Sequence, residues 1–290
     1  GYFGQATVGV GSLPDGTRVV STSDKNTFTD ARAHVSAVLY PRPFGFLFEY
    51  NVGAGPMLGA DRPYLLNTHW LHGGFLTLML KLELLQVTGS FKARGATNRL
   101  LSLTAEQLQR GIVTASGGNH GLATARAGFL AGVPTIVFLP TNAAPDKIAK
   151  LKAWGAEIRI VGSAWHEANA AALELVEATG AAYFHPFADP AVVAGQGTVG
   201  LEILEQMPNV DTVLVAMGGG GLISGVATAL KALAPRVRVI GIEAEGSPVL
   251  LRSLEAGRNI ALERVTTAVA TMACAHSDDR IFELVRDRVD

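Results

Sequence analysis

The strongest constraint on the fold is a regular alternation of short apolar runs and amphipathic stretches that begins at Gly111. Runs at 112–115, 135–139, 157–161, 182–185, 212–217 and 237–243 have the length and β-branched content of strands. Between them lie helical patterns at 121–131, 145–154, 165–178, 198–206 and 222–233, and Pro208 closes the fourth. Short connections between alternating strands and helices leave little choice. Consecutive strands run parallel, and helices cover both faces of the sheet.

Two of the strand-to-helix turns carry unusual chemistry. In Ser116, Gly117, Gly118, Asn119, His120, Gly121, paired glycines let the backbone approach a ligand closely. The helix start that follows offers unpaired N–H groups to an anion, and a substrate carboxylate suits that place. An ordinary turn with a structural histidine is the other reading. Met217 is followed by Gly218, Gly219, Gly220 and Gly221, then Leu222, between a strand and a helix. Such a run of backbone amides makes a nest for a phosphate. It is not a dinucleotide fingerprint, because the third glycine of that pattern is missing. Glu243 nevertheless ends the next strand, where a ribose-binding acid would sit, so a dinucleotide site is the competing reading.

A third stretch lies upstream. Residues 78–84 form a short apolar run fit for a buried strand, with Lys81 and Glu83 alternating out of it. Residues 86–89 make a turn, Ser90 serves as N-cap, and a helix runs to about residue 101. Lys92 then falls in the first turn of that helix, at the carboxyl edge of a sheet. The helix dipole opposes a cation there, and desolvation lowers the ammonium pKa further. A neutral amine of this kind is what a lysine needs to condense with a carbonyl cofactor. A solvated lysine at a helix start is the plain alternative.

Residues 81–96 resemble the active-site segment of the fold-type II pyridoxal-phosphate enzymes, most closely the serine/threonine dehydratases. That pattern, K-x-E-x-x-Q-x-T-G-S-F-K-x-R-G-A, has every fixed position filled here. The resemblance starts near Arg62 and runs to Asp290. It implies a two-lobed α/β fold with the cofactor between the lobes. Residues 111–188 would be the small lobe, 61–110 with 189–290 the large one, and 1–60 an irregular N-terminal extension. It further implies that Lys92 holds pyridoxal 5'-phosphate as an imine and, once displaced, removes the α-proton. Phe91 would pack against the cofactor ring. The family's S-x-G-N-H loop is matched by Ser116, Gly118, Asn119 and His120, with Gly117 between them. This loop would clamp the substrate carboxylate, and Asn119 would bond the ring hydroxyl. Gly218, Gly219, Gly220, Gly221 and Leu222 would cup the phosphate. The segments at 185–190 and 194–198 resemble H-P-F-D-D-P and A-G-Q-G-T and are expected to be tight turns beside the site.

The activity implied is dehydration and deamination of L-threonine or L-serine to a 2-oxo acid and ammonia. An amino-acid racemase shares these motifs but needs a second acid/base group, a serine where this chain has Gly117. A β-replacement enzyme fits its lysine and asparagine segments less well. A chain that keeps the fold and binds ligand without turnover is the reading from another class. Two features favour it: the irregular first sixty residues, and a sequence that stops before the strand whose Ser, Thr or Cys faces the pyridine nitrogen. The family's T-I-A-D-G segment is also replaced near 268–272. That final strand is expected to be missing.

Composition bounds the rest. With 48% hydrophobic residues and a formal charge of -1, the chain has no electrostatic footprint for nucleic acid or an anionic membrane. Its longest apolar run, 75–85, is broken by Lys81 and Glu83 and is too short to span a bilayer. A single cysteine, Cys274, forms no internal disulfide and suits a reducing compartment. No secretory pattern shows in residues 1–16, so the cytoplasm is expected. His185, Asp189 and Glu202 lack metal-ligand spacing, and the segment after Glu243 lacks a second acid, so no metal is expected. The expected partners are an amino-acid substrate and further copies of the chain, as a dimer or tetramer. Residues 1–60 read poorly: 29–39 suits a short helix, and 39–59 a loop.

Overall fold

The computed structural model describes residues 10–12, 18–20, 45–53, 57–59, 62–67 and 71–290. It separates into two units, Gly1–Leu82 and Glu83–Asp290. The first holds β1 (Val10–Ser12), β2 (Arg18–Val20), β3 (Gly45–Gly53), β4 (Met57–Gly59), β5 (Arg62–Asn67) and β6 (Leu71–Met79). β1 pairs with β2, β3 with β6 and β4 with β5, all antiparallel. The helix expected at 29–39 lies outside the described residues, while the loop expected at 39–59 contains β3 and β4.

The buried strand expected at 78–84 does not form. β6 ends at Met79, Glu83–Leu85 is a 3-10 turn, and Leu80, Leu84 and Leu85 are exposed. The reason is electrostatic, because the Glu83 carboxylate turns to meet Arg94 at 2.7 Å. A second 3-10 turn, Val87–Gly89, leads into α1 (Lys92–Leu101), whose cap position is Phe91 without a side-chain bond; the expected cap, Ser90, instead closes the 3-10 turn.

After α2 (Ala105–Arg110) the expected alternation follows. It comprises β7 (Ile112–Thr114), α3 (Asn119–Ala131), β8 (Thr135–Leu139), α4 (Pro145–Ala153), β9 (Glu157–Ile160), α5 (Trp165–Thr179) and β10 (Ala182–Tyr183). The strands form one parallel sheet of order β10-β7-β8-β9. Strand alternation sorts the core. Val137 and Leu139 point to one face and pack with Ala125 of α3 and Leu151 of α4. Val113, Ala115 and Phe138 point to the other and pack with Ala168 and Ala172 of α5. The chain moves from β7 outward to β9, then returns past β7 to place β10 on its far side. That reversal opens a crevice at the carboxyl ends of β7 and β10, the usual ligand position in parallel sheets.

The remainder comprises α6 (Pro190–Gln206), β11 (Thr212–Ala216), α7 (Gly221–Leu233), β12 (Arg238–Ile242), α8 (Val249–Ala256) and α9 (Asp279–Arg288). β11 and β12 pair in parallel, and Val213, Val215 and Val239 bury against Ile223, Leu230 and Ile281. The largest departure from expectation is α6, which starts at Pro190 rather than at 198. Asp189 caps it by accepting from Ala191 N at 2.8 Å and Val192 N at 3.2 Å, and proline suits its first position. The expected turn at 194–198 therefore lies inside a helix. Its glycines serve packing instead. A Cβ on Gly195 would stand 2.6 Å from Gly95 Cα of α1, and one on Gly225 of α7 would stand 2.3 Å from Val193 O. α6 is thus pressed between α1 and α7, backbone against backbone.

Gly225→Ala forces those backbones apart and should cost roughly 1–3 kcal/mol of unfolding free energy. Urea denaturation of the full chain measures it. An unchanged midpoint would mean that α6 and α7 are not in contact there.

Candidate active site

The crevice between β7 and β10 is built from backbone and tied by buried polar groups. Phe184 O, just past β10, accepts from Thr114 Oγ1 at 2.8 Å and from His120 Nε2 at 3.0 Å. Trp165 Nε1 donates to Ala115 O at 2.8 Å, fixing the end of β7 where the serine loop departs. Within that loop a Cβ on Gly121 would lie 1.8 Å from Ser116 O, so only glycine permits the turn. Gly118 stands before α3 with no side-chain cap, which leaves the first N–H groups of that helix open. Asn119 is the first residue of α3, and Ser116 Oγ lies 3.4 Å from Gly118 N.

Lys92 enters from the start of α1, where its own N–H is held weakly by Ser90 Oγ at 3.4 Å. Its ammonium donates to Pro186 O at 2.5 Å and lies 5.2 Å from the Phe91 ring. Burial pulls its pKa down from 10.5 to about 8, and the Cys274 thiol opposes that pull. His120 is 2% exposed, and burial first, then the Lys92 charge, lowers its pKa to about 3. With Nε2–H given to Phe184 O, His120 Nδ1 is a buried acceptor without a partner among the described residues. His185 Nδ1 accepts from Phe187 N at 3.2 Å and Ala188 N at 2.9 Å, which puts its proton on Nε2. Burial lowers its pKa to about 4.

The glycine turn faces the same segment. Gly220, at φ +88°, precedes α7 without a side-chain cap, so the first N–H groups of α7, from Gly221 and Leu222 onward, have no partner within the helix. A Cβ on Gly219 would come 2.5 Å from the Phe187 ring, and one on Gly218 would come 3.2 Å from the Met272 backbone. Ser277 Oγ donates to Gly219 O at 3.0 Å and steadies the turn. Open amides and a helix dipole at a turn with no room for side chains suit a phosphate. Phe187, one residue from the carbonyl that holds Lys92, joins the amine to this turn.

Glu243 is spent elsewhere. Its two oxygens accept from Leu250 N at 3.0 Å and Leu251 N at 2.8 Å, capping α8. A ribose-binding acid must keep its carboxylate free, so the dinucleotide reading loses its support. Among the described residues no group of three or more His, Cys, Asp and Glu could hold a metal ion. No helix among them is long and apolar enough to cross a membrane. Sequence reading missed three contributors: Phe187 and Met272 against the glycine turn, and Arg94, which pairs with Glu83 and Glu202. For Arg94 the signal was present, since Glu83 and Arg94 are opposite charges at fixed positions of one motif.

Residues 67–290 match the family described as pyridoxal-phosphate dependent enzyme, and the chain belongs to that family. The L-threonine ammonia-lyase of Thermotoga maritima is 46% identical over 213 residues, covering 73% of this chain and 53% of that protein. The serine racemase of Oryza sativa subsp. indica is 39% identical, covering 73% of this chain and 62% of its own. Among solved structures, the processed form of threonine deaminase isoform 2 from Solanum lycopersicum superposes with a TM-score of 0.71 at 38% identity. It covers 73% of this chain, which spans 62% of that one. The chain thus spans between half and two thirds of the length of these relatives. The residues present fit the family's cofactor: a desolvated amine suits its aldehyde, and the glycine turn suits its phosphate.

Two pH dependences follow from these groups. The folded pKa values of His120 and His185, about 3 and about 4, lie below the ordinary 6.5. The unfolded chain therefore binds more protons below pH 6.5, and stability should fall as pH drops from 6.5 toward 4. Urea midpoints across that range should show the slope, and His120→Asn should flatten it. Lys92 acts in the other window. Its unfolded amine stays protonated between about 8 and 10.5 while the folded one has lost its proton, so stability should rise with pH there. Reductive ¹³C-methylation and NMR should find one lysine titrating near 8.

Proposed function

We propose that this chain carries the active site of an ammonia-lyase that converts L-threonine or L-serine to a 2-oxo acid and ammonia. The observation that carries the reading is the Lys92 amine. It is desolvated and held at the crevice between the serine loop and the glycine turn. Lys92 would hold pyridoxal phosphate covalently, and Gly218, Gly219, Gly220, Gly221 and Leu222 would hold its phosphate through backbone N–H groups. When bound, the cofactor supplies an electron sink for the charge left on the α-carbon.

The other steps belong to the protein's own groups. The substrate carboxylate would sit at the start of α3, against the Ser116 hydroxyl and the open N–H groups beyond Gly118, with Gly117, Asn119 and His120 shaping the loop. Phe91 would flank the ring. Lys92, with a pKa near its working range, would take the α-proton and return it to a leaving group. His120 is too strongly held neutral, and too enclosed, to exchange protons in this cycle. Residues 111–188 would form a smaller lobe carrying the serine loop, and 61–110 with 189–290 a larger one carrying the glycine turn. A homo-oligomer in the cytoplasm completes the reading, on the strength of the sequence alone.

Racemisation is the second reading, favoured by the racemases among the relatives. It needs a proton donor on the opposite face of the α-carbon. In this chain Gly117 stands where the family's racemases have serine, and a Cβ there would come 3.0 Å from Leu139 Cδ2. Leu139 is fully buried, so a side chain at 117 would press on a packed neighbour.

The full chain, given pyridoxal phosphate and L-threonine, should release 2-oxo acid and ammonia with little D-isomer. Lys92→Ala should lower turnover by on the order of a thousandfold or more, the scale of losing a general base. Gly117→Ser should raise the proportion of D-serine formed from L-serine in deuterated water. Deuterated D-serine outpacing pyruvate in the unaltered protein would sink the elimination reading.

A further inference from the structure

Lys92 is useful only if its amine stays at the mouth of the crevice, yet the start of α1 is poorly secured. Phe91 gives no side-chain cap, and Ser90 reaches the Lys92 N–H only at 3.4 Å. Two residues further on, Arg94 makes the densest polar contact among the described residues. Its Nε and Nη2 form a fork on Glu83, at 2.7 and 2.8 Å. Nη1 and Nη2 form a second fork on Glu202 of α6, at 2.6 and 2.8 Å. Nη1 also donates to Thr198 Oγ1 at 3.0 Å, and that hydroxyl donates in turn to Gly195 O at 2.8 Å. Every N–H of the guanidinium is thereby engaged, in a geometry that a lysine ammonium does not reproduce. The group is 11% exposed, and both carboxylates raise its pKa.

Resting on the reading of Lys92 as the cofactor lysine, we propose that Arg94 is a positioning residue for that lysine. Its two carboxylate forks lock the first turn of α1 onto α6 and onto the turn at Glu83. The contact acts through geometry. The charged and titratable groups that face Lys92 are Cys274, His120 and His185, and neither Arg94 nor its carboxylates are among them. α6 also packs against α7, whose start is the glycine turn. Arg94 therefore sets where the amine stands relative to the phosphate nest. The far end of α1 has its own anchors to the α6 start, Asn98 Nδ2 to Ala191 O at 2.7 Å and Arg99 to Asp189 at 2.7 Å. These serve as an internal control, because they hold the same helices without bordering Lys92.

The test uses the full chain titrated with pyridoxal phosphate, reading absorbance, then borohydride trapping and peptide mapping across pH. Thermal unfolding is recorded beside each titration. The unaltered protein should trap at Lys92 with a pH midpoint near 8. Arg94→Lys keeps the charge but loses the forks. It should bind the cofactor about tenfold or more weakly, as expected for lost hydrogen bonds to charged groups, and its trapping midpoint should move up toward that of an exposed lysine. Thr198→Val removes a single bond from the guanidinium and should shift both readings in the same direction by less. Arg99→Lys should lower the unfolding temperature and move neither. If Arg94→Lys fails to fold, Thr198→Val decides alone. Trapping at Lys92 with unaltered affinity and midpoint in the folded variants overturns the clamp while leaving the functional reading intact. Trapping of the unaltered protein at another lysine overturns both.

Discussion

The structure depends on a helix that can be approached from both sides without side chains intervening. α6 meets α1 through Gly195 and Gly95, and it meets α7 through a contact in which Gly225 lies against the Val193 carbonyl. Backbones at this separation leave little freedom to slide, because each helix surface is a rigid relief rather than a layer of mobile side chains. The two halves of the candidate site hang from the outer helices of this sandwich. Lys92 opens α1 and the glycine turn opens α7. Their relation is fixed by packing well away from either, which is why a motif such as A-G-Q-G-T can matter while touching no ligand.

A second constraint is topological. The parallel sheet reverses its winding between β7 and β10, and the loops leaving those strands are forced apart. One carries the serine loop into α3, and the other carries the carbonyl that receives the Lys92 amine. Burial at that junction has electrical consequences for everything around it. The same low-dielectric surroundings that lower the lysine pKa keep His120 and His185 neutral, so one environment tunes a base and silences two neighbours.

Much of this was legible in the residues, and the failures have physical causes. The alternation from Gly111 onward located the strands of the main sheet to within a residue or two, because period and length agree there. Lys92 stood out through the motif of residues 81–96 around it, since its place at a helix start alone suits a solvated lysine equally well. The run at 78–84 looked like a strand since hydropathy weighs leucines and ignores the ion pair that bends the chain at Glu83. The glycines of 194–198 looked like turn formers, as glycine usually is, and their role in helix contact depends on partners remote in sequence, Gly95 for Gly195 and Gly225 for Gly197. α8 and α9 were not foreseen, because both are short, and the buried face of α9 rests on only Ile281, Phe282 and Val285 among charged neighbours.

The neighbour of Gly117 has a consequence for how such a chain changes over time. Leu139 belongs to β8, and its methyl group lies 3.0 Å from where a Cβ at 117 would stand, so a larger residue there requires that methyl to yield by a few tenths of an ångström. A change at either position therefore bears on the fit of the other. A serine arriving first meets a crowded wall, whereas a smaller residue at 139 arriving first leaves a cavity that costs stability with nothing gained. The room for a side chain at 117 is thus set by a packed aliphatic side chain on the next strand.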